Sequence, residues 1–173
     1  MKNQTFETNF INKLEQFKDY ETKEEYYCFI SGWLNQNRYK LTKDGKYDKE
    51  LEMLISLNLH RFHLQELICI KDEVNRFRLS FKGSTRVKPC IITMILRDTL
   101  IDLVSIRGID CPNCDYSLGM VYWKRTCDNS IFMECMECCW MQDVSGLPFS
   151  IKDDDYMPAT LIDLYNANII NSI

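Results

Sequence analysis

Histidine, glycine and proline are all sparse in this 173-residue chain, at 2, 6 and 4 residues respectively. A catalytic imidazole would have to come from His60 or His63. Their H-x2-H spacing would put both rings near one helix face. No carboxylate or cysteine at a characteristic spacing completes a metal site there, so they read as ordinary surface or boundary residues. Glycine-dependent phosphate loops are missing too: the chain has no G-x-G-x-x-G and no P-loop, and neither a nucleophile elbow nor H-E-x-x-H occurs. No nucleophile–base pair emerges, which points away from an enzyme. The strongest apolar run, Cys90 to Leu96 interrupted by Thr93, is far too short to cross a bilayer. The opening "MKNQTFETNF" lacks the basic start and apolar stretch of a secretory signal. From these absences we expect a soluble, cytoplasmic protein with no membrane partner.

What is present in quantity is apolar surface, acid and cysteine. Hydrophobic residues make up 46% of the chain and aromatics 12%, enough for a core and against global disorder. The length suits one domain, or one domain carrying a small metal-held appendage. The net charge of −4 conceals a gradient: residues 1–60 are net −1, 61–107 net +4 and 108–173 net −7. A partner of the acidic end is therefore expected to be basic. Nine cysteines in a reducing compartment favour metal binding or buried thiols over a disulfide framework.

Periodicity predicts an α+β fold. Phe6, Phe10, Ile11, Leu14 and Phe17 lie at helical spacing within Thr5–Phe17. A second helix should begin at Thr22, where Thr22 and Glu25 match a capping box ahead of the stripe Tyr26, Phe29, Ile30, Trp33 and Leu34. Asp44-Gly45 marks a turn, and 48–57 reads as a third helix. Leu64–Ile70 and Phe77–Phe81 read as two strands joined by "KDEVN". Pro89–Ile106 carries both helical and alternating signals and is read as a helix followed by a short strand. The expected division is an α+β core over 1–107, a cysteine-rich module over 108–144, and a tail over 145–173 packing on the core.

The cysteine-rich module holds six of the nine cysteines. Cys111 and Cys114 form C-P-N-C, Cys135 and Cys138 form C-M-E-C, and twenty residues separate the pairs. Each C-x2-C turn aims two thiolates at one centre, and two such turns supply the tetrahedral set that zinc prefers. Leu118–Trp123 and Ile131–Glu134 read as strands joined by "TCDNS", a hairpin that would return the second pair beside the first. Iron would use the same four thiolates, so spacing leaves zinc and iron both open. Four thiolates leave no open position for water, so the metal is expected to be structural. Cys28, Cys69 and Cys90 lie among apolar residues and read as buried small hydrophobes, and Cys127, in the hairpin turn, as a free surface thiol.

In these features the segment resembles the zinc-ribbon group: knuckle, β-hairpin, knuckle, then a further strand from "CWMQDV". The match covers residues 108–144, about a fifth of the chain. It implies a structural zinc ion on Cys111, Cys114, Cys135 and Cys138. The pattern departs where a glycine commonly follows a knuckle's second cysteine. Asp115 and Cys139 stand there instead, which leaves Cys139 a competitor to Cys138 as ligand.

Absence of a catalytic set, a structural metal and an acidic, aromatic-rich end suit a protein that binds another protein. More loosely, the whole chain is similar in size, acidity and architecture to small bacterial immunity proteins, which neutralise a partner toxin by direct binding. That resemblance implies a basic partner, such as a nuclease-type toxin, drawn in by complementary charge. The expected contact residues are Glu134, Glu137, Asp143, Asp153, Asp154 and Asp155, with Tyr122, Trp123 and Trp140 as anchors. The run Asp153–Asp155 does not resemble an ordered calcium loop. The alternative is a nucleic-acid-binding regulator that uses Arg76, Arg78, Lys82, Arg86 and Lys88, since residues 108–173 offer only Lys124, Arg125 and Lys152 for phosphate contacts. A solvated strand face is the simpler account of that basic segment.

Overall fold

The computed structural model describes Asn12 and residues 22–43, 49–62, 89–115, 118–151 and 155–172. Of the expected first helix only Asn12 is among them; the Asp44-Gly45 turn and the Leu64–Ile70 and Phe77–Phe81 strands lie outside them. The architecture is α+β, with N-terminal helices and a four-stranded antiparallel sheet beside the cysteine pairs. The chain divides into two compact units, Met1–Leu57 with Glu66–Leu103 and Asn58–Gln65 with Val104–Ile173.

The first unit contains α1 (Lys23–Lys43), α2 (Lys49–Ile55) and most of α3 (Pro89–Val104). α1 begins where the capping box predicts. The Thr22 amide donates to Glu25 Oε2 at 2.7 Å, and the Glu25 amide donates to Thr22 Oγ1 at 3.1 Å, so two otherwise orphaned N–H groups are satisfied. Tyr26, Ile30, Trp33, Leu34 and Leu41 bury one face of α1, and Leu51 and Leu54 bury that of α2. The Tyr27 hydroxyl donates to the Leu54 carbonyl and accepts from the Leu57 amide, tying α1 to the end of α2. Cys28 corrects the sequence reading, because it is exposed on α1 and fills no core. Its helical position puts it on the side opposite the Ile30–Leu34 stripe.

α3 opens on proline, whose missing N–H costs nothing in a first turn. The helix absorbs almost all of the ambiguous 89–106 segment. Leu96, Leu100 and Leu103 supply a repeating apolar face, and the expected strand shrinks to a single bridge between Arg107 and Val121.

The second unit is built on β1 (Val121–Arg125), β2 (Ile131–Glu134), β3 (Met141–Asp143) and β4 (Tyr156–Pro158), in the spatial order β3-β2-β1-β4. A short helix, α4 (Leu161–Asn166), follows. The β1–β2 turn is set locally: Asp128 Oδ1 accepts from the Ser130 amide and hydroxyl, and Asn129 takes φ 60°, a region asparagine tolerates. The register pairs Trp123 with Phe132, so both rings share one face, where they meet Tyr156 edge-on at 5.1 and 5.7 Å. Phe149 stacks on Phe132 at 5.1 Å.

The C-terminal segment belongs to this sheet. β4 pairs with β1, and Lys124 Nζ lies 2.8 Å from Asp163 Oδ1 with both side chains largely buried. The second unit thus includes its own C-terminal strand and helix. The physical reason is that three short strands bury little by themselves, and β4 with Ala159 and Leu164 closes the open side of β1.

Candidate metal centre

The first cysteine pair sits in the turn that leads into β1, and the second links β2 to β3. The lead-in is anchored by an extension of the sheet: the Gly108 amide donates to the Met120 carbonyl and the Met120 amide to the Ile109 carbonyl, both at 2.8 Å. Two glycines permit this close approach. Gly119 has φ +80°, and a Cβ there would lie 2.6 Å from the Gly108 oxygen; a Cβ on Gly108 would lie 2.7 Å from the Tyr122 ring. Since Val121 pairs with Glu134, Cys135 emerges beside Met120. The hairpin thus returns the second knuckle to the first.

The Sγ atoms of Cys111, Cys114, Cys135 and Cys138 all lie within 4.8 Å of one another. The separations across the knuckles are 3.6 Å for Cys111–Cys138 and 3.7 Å for Cys114–Cys135. A tetrahedron of thiolates around zinc at about 2.3 Å has edges of about 3.8 Å. The donor set fits a single tetrahedral ion. An iron–sulfur cluster would hold its cysteine sulfurs further apart than one ion does, so the fit is to a mononuclear centre. Cys111 and Cys135 are buried, and they pack with Met120 and Met133 under the half-buried Tyr122 and Trp140.

Polar groups of the knuckles face the sulfurs. The Asn113 amide donates to Cys111 Sγ at 3.4 Å, and Asn113 Nδ2 lies 3.6 Å from Cys138 Sγ. The Asn113 side chain, with the Trp140 backbone amide, pulls the Cys138 thiol down to about 6. Burial pushes the Cys135 thiol up instead, against the Cys138 and Glu137 amides that favour its thiolate.

Cys138, not Cys139, joins the group. Cys139 is exposed, takes φ 58°, and its amide closes the knuckle on the Cys135 carbonyl at 2.9 Å. It occupies the left-handed position that explains why glycine is common after a knuckle. Cys127 is exposed in the hairpin turn, as expected. Cys69 lies outside the described residues, and so does the side-chain environment of Cys90.

Of the expected partner-contact residues, Tyr122 and Trp140 both pack on the cysteine cluster. Trp123 is buried at 1% exposure, so it is a core ring and not an anchor. Trp140 is half-buried against the cysteines, with its Nε1 donating to Gln142 Oε1 at 3.2 Å. Tyr122 is half-buried under Gly108, and burial raises its hydroxyl's pKa. Asp143 organises its own turn: Oδ1 accepts from the Ser145 amide and hydroxyl and from the Leu147 amide, and these bonds hold its carboxyl below the usual range. Glu134 is half-buried, while Glu137 and Asp155 are exposed. Asp153 and Asp154, like the basic segment Arg76 to Lys88 and His63, lie outside the described residues; His60 is exposed in a 3-10 turn. Sequence reasoning passed over Ile109 and Leu118, exposed at 56% and 63%, and the exposed Asp110 and Asp115. Their only signal was their place at the edges of the first knuckle.

Among the described residues no helix is long and apolar enough to cross a membrane. No protein-family model, curated protein or solved structure matches this chain.

Proposed function

We propose that Cys111, Cys114, Cys135 and Cys138 hold one structural zinc ion, and that the unit it stabilises is a zinc-ribbon module for binding another protein. The observation that carries the metal is the convergence of four sulfurs, from two separate turns, within 4.8 Å. Zinc suits four thiolates without redox chemistry, and such a set leaves no coordination site for a substrate or water. When bound, the ion supplies folding energy to the ribbon. The protein acts without catalysis, and its partner has a basic contact surface, a nuclease-type toxin neutralised by direct binding being the form we favour. The net −7 of residues 108–173 supports that partner chemistry.

Two measurements test this reading. Elemental analysis of protein purified without chelator should return about one zinc per chain; a metal-free chain with native structure would refute it. Co-purification with the product of the neighbouring gene, followed by assay of that product's activity with and without this chain, tests the neutralising role. An unaffected activity in a stoichiometric complex would exclude neutralisation.

A further inference from the structure

The metal-bearing end of the ribbon carries an exposed apolar pair, and its surroundings specify what covers it. Ile109 and Leu118 lie on the two irregular segments ahead of β1 whose backbones are joined by the Gly108–Met120 and Met120–Ile109 hydrogen bonds, beside the first knuckle. Neither belongs to the buried cluster around Met120 and Met133 or to that around Ile131, Ala159 and Leu164. Three exposed carboxylates border the same end, each one residue from a cysteine of the centre: Asp110 before Cys111, Asp115 after Cys114, and Glu137 before Cys138. The two knuckles meet there, with Asn113 of the first against Cys138 of the second.

Compensating cations are scarce. Among the described residues of this unit the basic side chains are Arg61, Arg107, Lys124 and Arg125. Lys124 is engaged with Asp163 at 2.8 Å and Arg125 with Asp128 at 2.9 Å, both on the hairpin side of β1. Arg107, at the base of the lead-in, donates to the Gly119 carbonyl at 3.0 Å. Four thiolates around one divalent ion add two net negative charges to this end. Two hydrogen bonds from Asn113 soften that charge without cancelling it.

We infer that the knuckle end is a docking surface for a cationic, aliphatic-bearing segment of a partner protein, and that the charge of the metal centre is part of what this segment recognises. This rests on the zinc reading above. The occupant follows from complementarity: Ile109 and Leu118 offer an apolar seat, and the surrounding anions select lysine or arginine beside it. A second copy of this chain would bring the same anions against them, and nucleic acid would bring phosphates. The sheet separates this end from the hairpin turn by the length of β1, about 15 Å for five residues. That exceeds the screening length of about 8 Å in physiological salt, so charges at the two ends act separately.

The experiment uses the zinc-loaded full chain and a labelled peptide built of Arg-Leu-Gly repeats, with binding read by fluorescence anisotropy at several salt concentrations. Glu137→Gln and Asp110→Asn should each weaken binding about two- to fivefold and flatten its salt dependence. Asp128→Asn, the same charge change in the hairpin turn, keeps a side-chain oxygen for Ser130 and should leave binding as in the wild type. Cys138→His keeps a tetrahedral zinc site but replaces one thiolate by a neutral imidazole, and should weaken binding by an amount similar to Glu137→Gln. Leu118→Ser should reduce affinity with zinc content unchanged. Equal weakening by Asp128→Asn would overturn the inference, and so would a zinc-loaded Cys138→His protein that binds like the wild type. Zinc content, measured on every sample, separates the two readings. A chain holding one zinc that shows either overturning pattern leaves the metal reading standing, whereas a chain holding none removes both. Peptide-independent dimerisation through Leu118, seen by light scattering, would assign this face to a second copy instead.

Discussion

The Asn113 side-chain amide reaches Cys138 Sγ at 3.6 Å, a hydrogen bond from one knuckle to a cysteine of the other. The same residue's backbone amide faces Cys111 Sγ at 3.4 Å. Asn113 thus favours the thiolate form of sulfurs on both sides of the centre. Donors of this kind typically contribute 10- to 100-fold to metal affinity. Asn113→Ala should lower zinc affinity by about tenfold, read by competition with a chromophoric chelator, with the stoichiometry unchanged. Unaltered affinity would mean that the backbone amides alone set the site.

Cys138 and Cys139 are adjacent but not equivalent. Cys138→Ser should abolish stoichiometric zinc binding. Cys139→Gly should keep one zinc and raise stability by about 1 kcal/mol, because glycine takes the φ 58° conformation without the clash a side chain incurs. The check is metal analysis together with thermal unfolding in excess zinc. A Cys139 variant that loses its zinc would show that the cysteines exchange roles.

Lys124 and Asp163 join β1 to α4, and Thr160 Oγ1 also donates to the Asp163 carboxylate at 2.7 Å. Burial pushes this carboxyl up, but the Lys124 ammonium and the Thr160 hydroxyl and amide outweigh it and hold it below the usual range. A carboxylate with a depressed folded pKa adds stability that is present above its unfolded value, near 4, and is lost as pH falls through the folded one. Lys124→Met should cost about 2–3 kcal/mol near neutral pH, since it strands a largely buried charge. It should also move the onset of acid unfolding to higher pH. Urea melts across the acid range would reveal both effects, and an unchanged acid limb would contradict the coupling.

Chelation should loosen the second unit as a whole. Hydrogen exchange is expected to accelerate through residues 109–143 and, because β4 pairs with β1, through Tyr156–Pro158 and α4 as well. α1, with its own buried stripe and capping box, should stay protected longer. Protection in α4 that outlasts that in β2 would show the C-terminal segment holding its place without the metal.

Local signals carried much of this protein in one dimension. The Thr22–Glu25 capping box placed the start of α1, because both partners lie within one turn of chain. The doubled C-x2-C with its hairpin insert identified the four clustered cysteines for the same reason: each knuckle is a local turn, and one hairpin brings the two together. Properties that depend on distant chain were decided elsewhere. The pairing of Trp123 with Phe132 and Tyr156 turned an expected anchor into a core ring, since burial is a property of the assembled sheet and not of a residue's polarity. Exposure of Cys28 depended on which face of α1 met its neighbours. The choice of Cys138 over Cys139 required a backbone angle, because adjacent residues in a tight turn point their side chains in different directions. The place of residues 145–173 followed from β4 filling the open edge of β1, a pairing across some thirty residues that no short window of sequence encodes.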